Sequence, residues 1–172
     1  MFTDPLKNLK AFGLKENSIV ADFGAGTGYY SIAAGTLMTK GKVYAIELQK
    51  DFLDTIKKKV KEIGLKNVEI IWGNVEKLGG TKLGENIVDA VIASNILFQV
   101  EHKDKFIEEL KRILKPAGRV LLIDWSEVSI MQKNKIVSKK DALQMFEKNG
   151  FVLEREINAG DHHYGMILVK DK

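Results

Sequence analysis

Apolar positions along the chain keep changing their period. Short continuous runs stand at 18–23, 42–47 and 68–72, and the most apolar ones at 87–93 and 120–125. Runs of this length, bounded by turn residues, read as strands buried in a sheet. Between them a spacing of three and four returns. Leu6, Leu9 and Phe12 predict a short helix ahead of Gly13. The segment 28–39 predicts a second helix with Tyr29, Ile32, Ala33 and Leu37 inward and Gly41 as its stop. A third covers 50–63 with Phe52, Ile56, Val60 and Ile63 inward and Gly64 behind it. A fourth covers 103–114 on Phe106, Ile107, Leu110, Ile113 and Leu114, ended by the turn Lys115-Pro-Ala-Gly118. Lys57, Lys58, Lys59 and Lys61 could form an RNA-binding run, but their helical spacing favours a solvated face.

Strand and helix alternate through this stretch, which predicts a parallel, doubly wound α/β sheet. The end of the chain departs from that rule. Ser138 and Asp141 form a capping-box pattern opening a helix that runs to Asn149-Gly150. Strands at 151–157 and 164–170 follow, and the connection between them is too short for a crossover helix. They are expected to pair antiparallel as a hairpin.

Length and composition narrow the class. The chain has 172 residues, 45% hydrophobic and 29% charged, which suits one globular domain over 1–172 with residues 1–17 covering the mouth of a ligand site. No apolar run reaches membrane-span length and the start lacks a signal-peptide pattern, so a cytoplasmic protein is expected. Cysteine is absent, which excludes disulfides, thiolate metal sites and a cysteine nucleophile; no metal is expected. The net charge of +4 is a modest, lysine-dominated excess that reads first as solvated surface.

Chemistry concentrates in Ser18 to Ser31. An apolar run is followed by Asp22-Phe-Gly-Ala-Gly-Thr-Gly28 and then by helical spacing. Glycines at 24, 26 and 28 let a ligand lie against bare main chain where the first helical N–H groups are unpaired. The dinucleotide fingerprint needs a glycine where Tyr29 stands, and a Walker loop needs Gly-Lys-Ser/Thr, which is missing. The stretch resembles the first motif of the class I S-adenosylmethionine-dependent methyltransferases. Residues 87–122 are similar to the branch that includes the ubiquinone and menaquinone biosynthesis methyltransferases, with Lys115-Pro-Ala-Gly118 in place of Lys-Pro-Gly-Gly.

That resemblance implies a Rossmann-like seven-stranded sheet of order 3-2-1-4-5-7-6, and S-adenosylmethionine as methyl donor with S-adenosylhomocysteine as product. It implies cofactor contacts from Asp22, Gly24, Ala25, Gly26 and Gly28. By the same resemblance Glu47 is expected to be the carboxylate for the ribose hydroxyls and Leu48 to pack on adenine, Asn74 with Val75 stands where the family has an acid near the adenine amino group, and Ser94 is expected beside the methionine part. An acid at Glu47 suits an NAD ribose equally, and Asn74 has a competing role in shaping a turn. Candidates for a general base are His102, Asp124, His162 and His163. Their competing roles are helix cap, strand-end acid and hairpin-turn surface. Phe98, Trp125 and Tyr164 are candidates for an acceptor pocket or for core.

The branch favours a small-molecule acceptor. RNA or protein, large or presented by a partner, is the alternative, and a cofactor-binding protein without turnover is a third reading. With about 17 residues before the first strand and a short polar link from Trp125 to Ser138, the site is open or is closed by a second subunit of a homodimer.

Overall fold

The computed structural model describes residues 3–127 and 136–171. Most of the expected Trp125–Ser138 link lies outside them. Among the described residues seven strands form one sheet: β1 (Ile19–Phe23), β2 (Lys42–Glu47), β3 (Val68–Trp72), β4 (Val88–Ser94), β5 (Leu114–Trp125), β6 (Phe151–Ile157) and β7 (His163–Lys170). Their order is β3-β2-β1-β4-β5-β7-β6, as the resemblance implies. The first five are parallel, and β7 runs antiparallel between β5 and β6, closing the predicted hairpin.

The helices are α1 (Pro5–Phe12), α2 (Tyr29–Leu37), α3 (Lys50–Ile63), α4 (Lys103–Ile113) and α5 (Lys139–Lys148). Strand side chains alternate between two cores. Val20 and Ile92 point to the face covered by α1 and α2, whereas Ala21, Phe23 and Val91 point to the face covered by α4 and α5. A smaller cluster of Ala25, Ala45 and Ile56 seats α3.

Local signals explain where helices begin and end. Asp4 caps α1 by accepting from the Lys7 N–H at 3.1 Å, Pro5 occupies its first turn, and Gly13 closes it at φ 72°. Ser138 caps α5 by accepting from the Asp141 N–H at 3.1 Å, and its hydroxyl donates to the Asp141 carboxylate at 2.7 Å. Gly64 ends α3 at φ 76°.

Inward faces differ from the sequence expectation at three helices. On α1, Leu9 and Phe12 are buried but Leu6 is exposed. On α2, Tyr29 is exposed and Ile32 and Leu37 are only partly covered, while Tyr30, Ala33, Ala34 and Gly35 are buried. That helix is apolar all round, so periodicity could not choose its buried stripe. On α3, Leu53 and Ile56 are buried, Phe52 and Val60 are half-buried and Ile63 is exposed, because the helix overhangs the edge strand β3. The turn at 115–118 is absorbed into β5, which pairs Val88 with Leu114 and then shifts register to pair Ala90 with Arg119, with Ala117 at φ 57°.

A buried acid that the sequence did not single out ties the connection after β3 to α4. Glu109 is fully buried; it accepts from the Gly79 and Thr81 N–H groups, the Thr81 hydroxyl and the Arg112 guanidinium. These donors hold its carboxyl below the usual range against the opposing effect of burial.

Candidate functional site

The carboxyl ends of β1, β2 and β4 open on one cleft with two hollows that share Gly24, Gly26 and Gln99. The smaller, about 230 Å³, is bounded by Glu47, Leu48 and the 73–76 segment. The larger, about 660 Å³, is bounded by Asp22, Ala25, Thr27, Tyr29, Tyr30, Ser94 and Trp125, with Thr3 and Pro5 closing one side. Open α/β sheets bind ligands at this end. A further hollow at the opposite end, near Lys15, Asp89 and Lys115, has walls that satisfy one another: Asp89 accepts from the Lys115 ammonium and the Ile19 N–H, each at 2.7 Å.

The glycine loop is built from its main chain outward. Gly24, Gly26 and Gly28 have φ of 69°, 54° and 85°, a region that costs other residues roughly 1–2 kcal/mol. At Gly24 an added Cβ would meet Ile96 Cδ1 at 2.3 Å, and at Gly28 it would meet Ile56 Cγ1 at 2.9 Å. At Gly26 nothing lies nearer than 4.0 Å, so its bare face looks into the cleft. Gly28 lies outside both hollows and lets the loop sit on α3.

Glu47 is 7% exposed and tied entirely to main chain: its Oε1 accepts from the Leu48 and Gln49 N–H groups and its Oε2 from the Gly26 N–H, all at 2.8 Å. The β2 carboxylate and the β1 glycine loop therefore meet at the junction of the two hollows. Beneath the loop, Asp22 accepts from the Ser31 hydroxyl at 2.5 Å, and burial pushes its carboxyl up to about 6. Leu48 is exposed and lines the smaller hollow with Val75. Asn74 lines it too, but its side-chain oxygen accepts from the Glu76 N–H at 2.8 Å, the turn-shaping role.

The base candidates are not assembled around the larger hollow. His102 is exposed at the start of α4 and lines neither hollow. Asp124 is 1% exposed, and its two oxygens accept from the Ile96, Leu97 and Trp125 N–H groups. It positions the chain after β4 instead of facing the crevice, and burial raises its carboxyl to about 6. His163 stacks on Trp125 with ring centroids 4.2 Å apart, and burial lowers its pKa. His162 is half-buried and, like Phe98, lines neither hollow; Tyr164 is buried in the core. Of the aromatic candidates, Trp125 reaches the larger hollow. Tyr30, which sequence reasoning passed over, lines it as well, its hydroxyl accepting from Asn8 Nδ2 at 2.9 Å.

Residues 14–151 match a family model described as a methyltransferase domain. The chain is 29% identical over 126 residues to the demethylmenaquinone methyltransferase of Bacillus mycoides, covering 73% of this chain and 52% of that protein. It is 31% identical over 117 residues to a ubiquinone/menaquinone biosynthesis C-methyltransferase of Escherichia coli, covering 67% and 45%. The chain thus spans about half the length of the curated relatives it matches. A crystal structure of a SAM-dependent methyltransferase from Aquifex aeolicus superposes with a TM-score of 0.89 at 32% identity, covering 98% of this chain and 90% of that one.

Proposed function

The chain belongs to the methyltransferase-domain family, among the class I S-adenosylmethionine-dependent enzymes, and from that membership we propose that it transfers a methyl group to a small-molecule acceptor. The observation that carries the reading is the meeting of Glu47 with the Gly26 N–H where the two hollows join. Glu47 takes the ribose, Leu48, Asn74 and Val75 border the adenine, and Asp22, Gly24, Ala25, Gly26 and Ser94 border the amino-acid half. The open face of Gly26 and the joined hollows suit a nucleoside carrying a side arm.

The cofactor, when bound, supplies a sulfonium methyl. The chain's part is to hold the acceptor in line with it, an effect worth up to ~7–11 kcal/mol. The acceptor's nucleophilic atom forms the new bond to carbon while the carbon–sulfur bond breaks, and any proton it carries passes to solvent or to a base. Among the described residues bordering the larger hollow, Asp22 is the one carboxylate and no histidine, lysine or arginine is present. Asp22 is engaged by Ser31, so the reading favours an acceptor that ionises readily by itself. Tyr29, Tyr30, Trp125 and Pro5 give that side an apolar, aromatic character suited to a compact organic molecule.

A second reading, an RNA acceptor, draws support from Trp72, which is 53% exposed with the Lys50 and Lys82 ammonium groups over its ring. Salt-sensitive RNA binding at low micromolar concentration supports it, and no binding at low salt retires it.

Calorimetric titration with S-adenosylmethionine, S-adenosylhomocysteine and NAD tests the main reading. Binding of the first two alone is expected, and Glu47→Ala should weaken it by ~1.5–3 kcal/mol. Binding of NAD alone, or an unchanged affinity in the variant, refutes the assignment.

A further inference from the structure

The segment 26–29 is held from two sides by side chains of opposite charge. On one side the Glu47 carboxylate takes the Gly26 N–H at 2.8 Å. On the other, Lys59 of α3 donates from Nζ to the Thr27 carbonyl at 2.9 Å, and the same ammonium lies 4.5 Å from the centroid of the Tyr29 ring. One turn earlier on α3, Ile56 fills the space under Gly28. Residues 24 and 25 are tied separately, both N–H groups donating to the Ile46 carbonyl at 3.0 Å.

The placement of Lys59 runs against helix electrostatics. Its cation stands beside the first residue of α2, at the positive end of that helix dipole, where acidic groups are ordinarily favoured. The Thr27 carbonyl and the Tyr29 ring face offset that cost, and both residues border the larger hollow.

The two ties respond differently to a ligand. A carboxylate offers about four acceptor positions, and three at Glu47 are already taken by N–H groups. A pair of ribose hydroxyls therefore needs one of these bonds to be given up. Two come from Glu47's own following turn, and the third is the tie to Gly26. The bond from Lys59 is made to the Thr27 carbonyl and uses no Glu47 oxygen, so it is not one of the bonds that the exchange calls on.

We infer that Lys59 is a positioning residue of the cofactor site: it clasps Thr27 and Tyr29 so that the glycine loop keeps its shape when Glu47 turns to the ribose. The inference rests on the cofactor reading above for its consequence in binding, while the clasp itself concerns the ligand-free loop.

Both levels are measurable. Hydrogen exchange on the ligand-free protein should show the Gly26 and Gly28 amides, bonded to Glu47 and to the Ala25 carbonyl, opening about tenfold faster in Lys59→Met, with Lys59→Arg close to wild type. The thermal midpoint should move by less than ~3 °C, since Lys59 is half-buried at the surface. Calorimetry should show S-adenosylhomocysteine binding Lys59→Met about tenfold more weakly, again restored in Lys59→Arg, a difference of ~1.4 kcal/mol. Loop exchange equal to wild type in Lys59→Met overturns the inference, as does weakened binding that arginine fails to rescue. If loop exchange rises but wild type binds neither S-adenosylmethionine nor S-adenosylhomocysteine, the clasp stands and the cofactor reading falls.

Discussion

Asp22 and Asp124 stand almost wholly out of water at the ends of β1 and β5, and burial raises both carboxyls from 3.8 to about 6. An acid raised on folding is protonated more readily in the native chain than in the unfolded one. Between about pH 4 and 6 the unfolded chain therefore carries fewer protons at these positions, and their contribution to stability falls as pH rises. Buried His163 works the other way below its ordinary value of 6.5, and the lowered Asp89 and Glu109 matter only at more acidic pH. A comparison with Asp22→Asn isolates one acid, because the amide oxygen can still accept from Ser31. The stability gained between pH 7 and pH 5 should be smaller in that variant by ~1 kcal/mol. Denaturation curves at the two pH values give the number, and equal differences would show that Asp22 titrates normally. At this scale the sequence located the acids without their bonds: Asp124 stood as a base candidate with an ordinary strand-end acid as its competing role, and its oxygens are taken by three N–H groups from its own strand end and the chain after β4.

Among the elements, α3 and α4 show how far periodicity carries. Both were legible in extent to within a residue, because a polar face opposes an apolar one and glycine or a turn follows. What α4 does for the site was not legible, since it depends on Glu109 reaching across to Gly79 and Thr81. That carboxylate steadies the connection that follows Gly73–Glu76, a wall of the smaller hollow. Glu109→Ala removes one partner of a buried ion pair with Arg112 and leaves two main-chain donors unanswered. A loss of ~3–5 kcal/mol in urea unfolding is expected; a loss below ~1 kcal/mol would mean that the pair is no stronger than a surface one. The inward faces of α2 and α3 were misjudged because a helix over a sheet edge, or one apolar on every side, buries what its neighbours cover.

For the molecule as a whole, the cleft is the place where three separate strand ends converge, so a ligand there ties β1, β2 and β4 together and favours the folded state by mass action. S-adenosylhomocysteine at 100 times its dissociation constant should add about 2.7 kcal/mol, a rise of roughly 5–10 °C in thermal midpoint for a chain of this size. NAD at the same concentration should leave the midpoint unchanged. A rise with NAD instead would reassign the nucleoside half of the cleft. Among the described residues no helix is long and apolar enough to cross a membrane.

Strands and helices, the terminal hairpin, and the glycine loop followed by an acid on the next strand are all legible along the chain. Those are local matters: side-chain period, turn chemistry and main-chain freedom act over a few residues. The order of strands was implied by resemblance and appears as such in the sheet. Which side chains bond to the protein and which remain for a ligand depends on contacts made in the folded chain. Glu47 reaches 21 residues back to Gly26, Lys59 reaches 32 back to Thr27, and Asp124 reaches 28 back to Ile96. Such pairings form when the sheet brings distant strand ends together, and the competition for each donor is settled by distance and burial, which no period along the chain records.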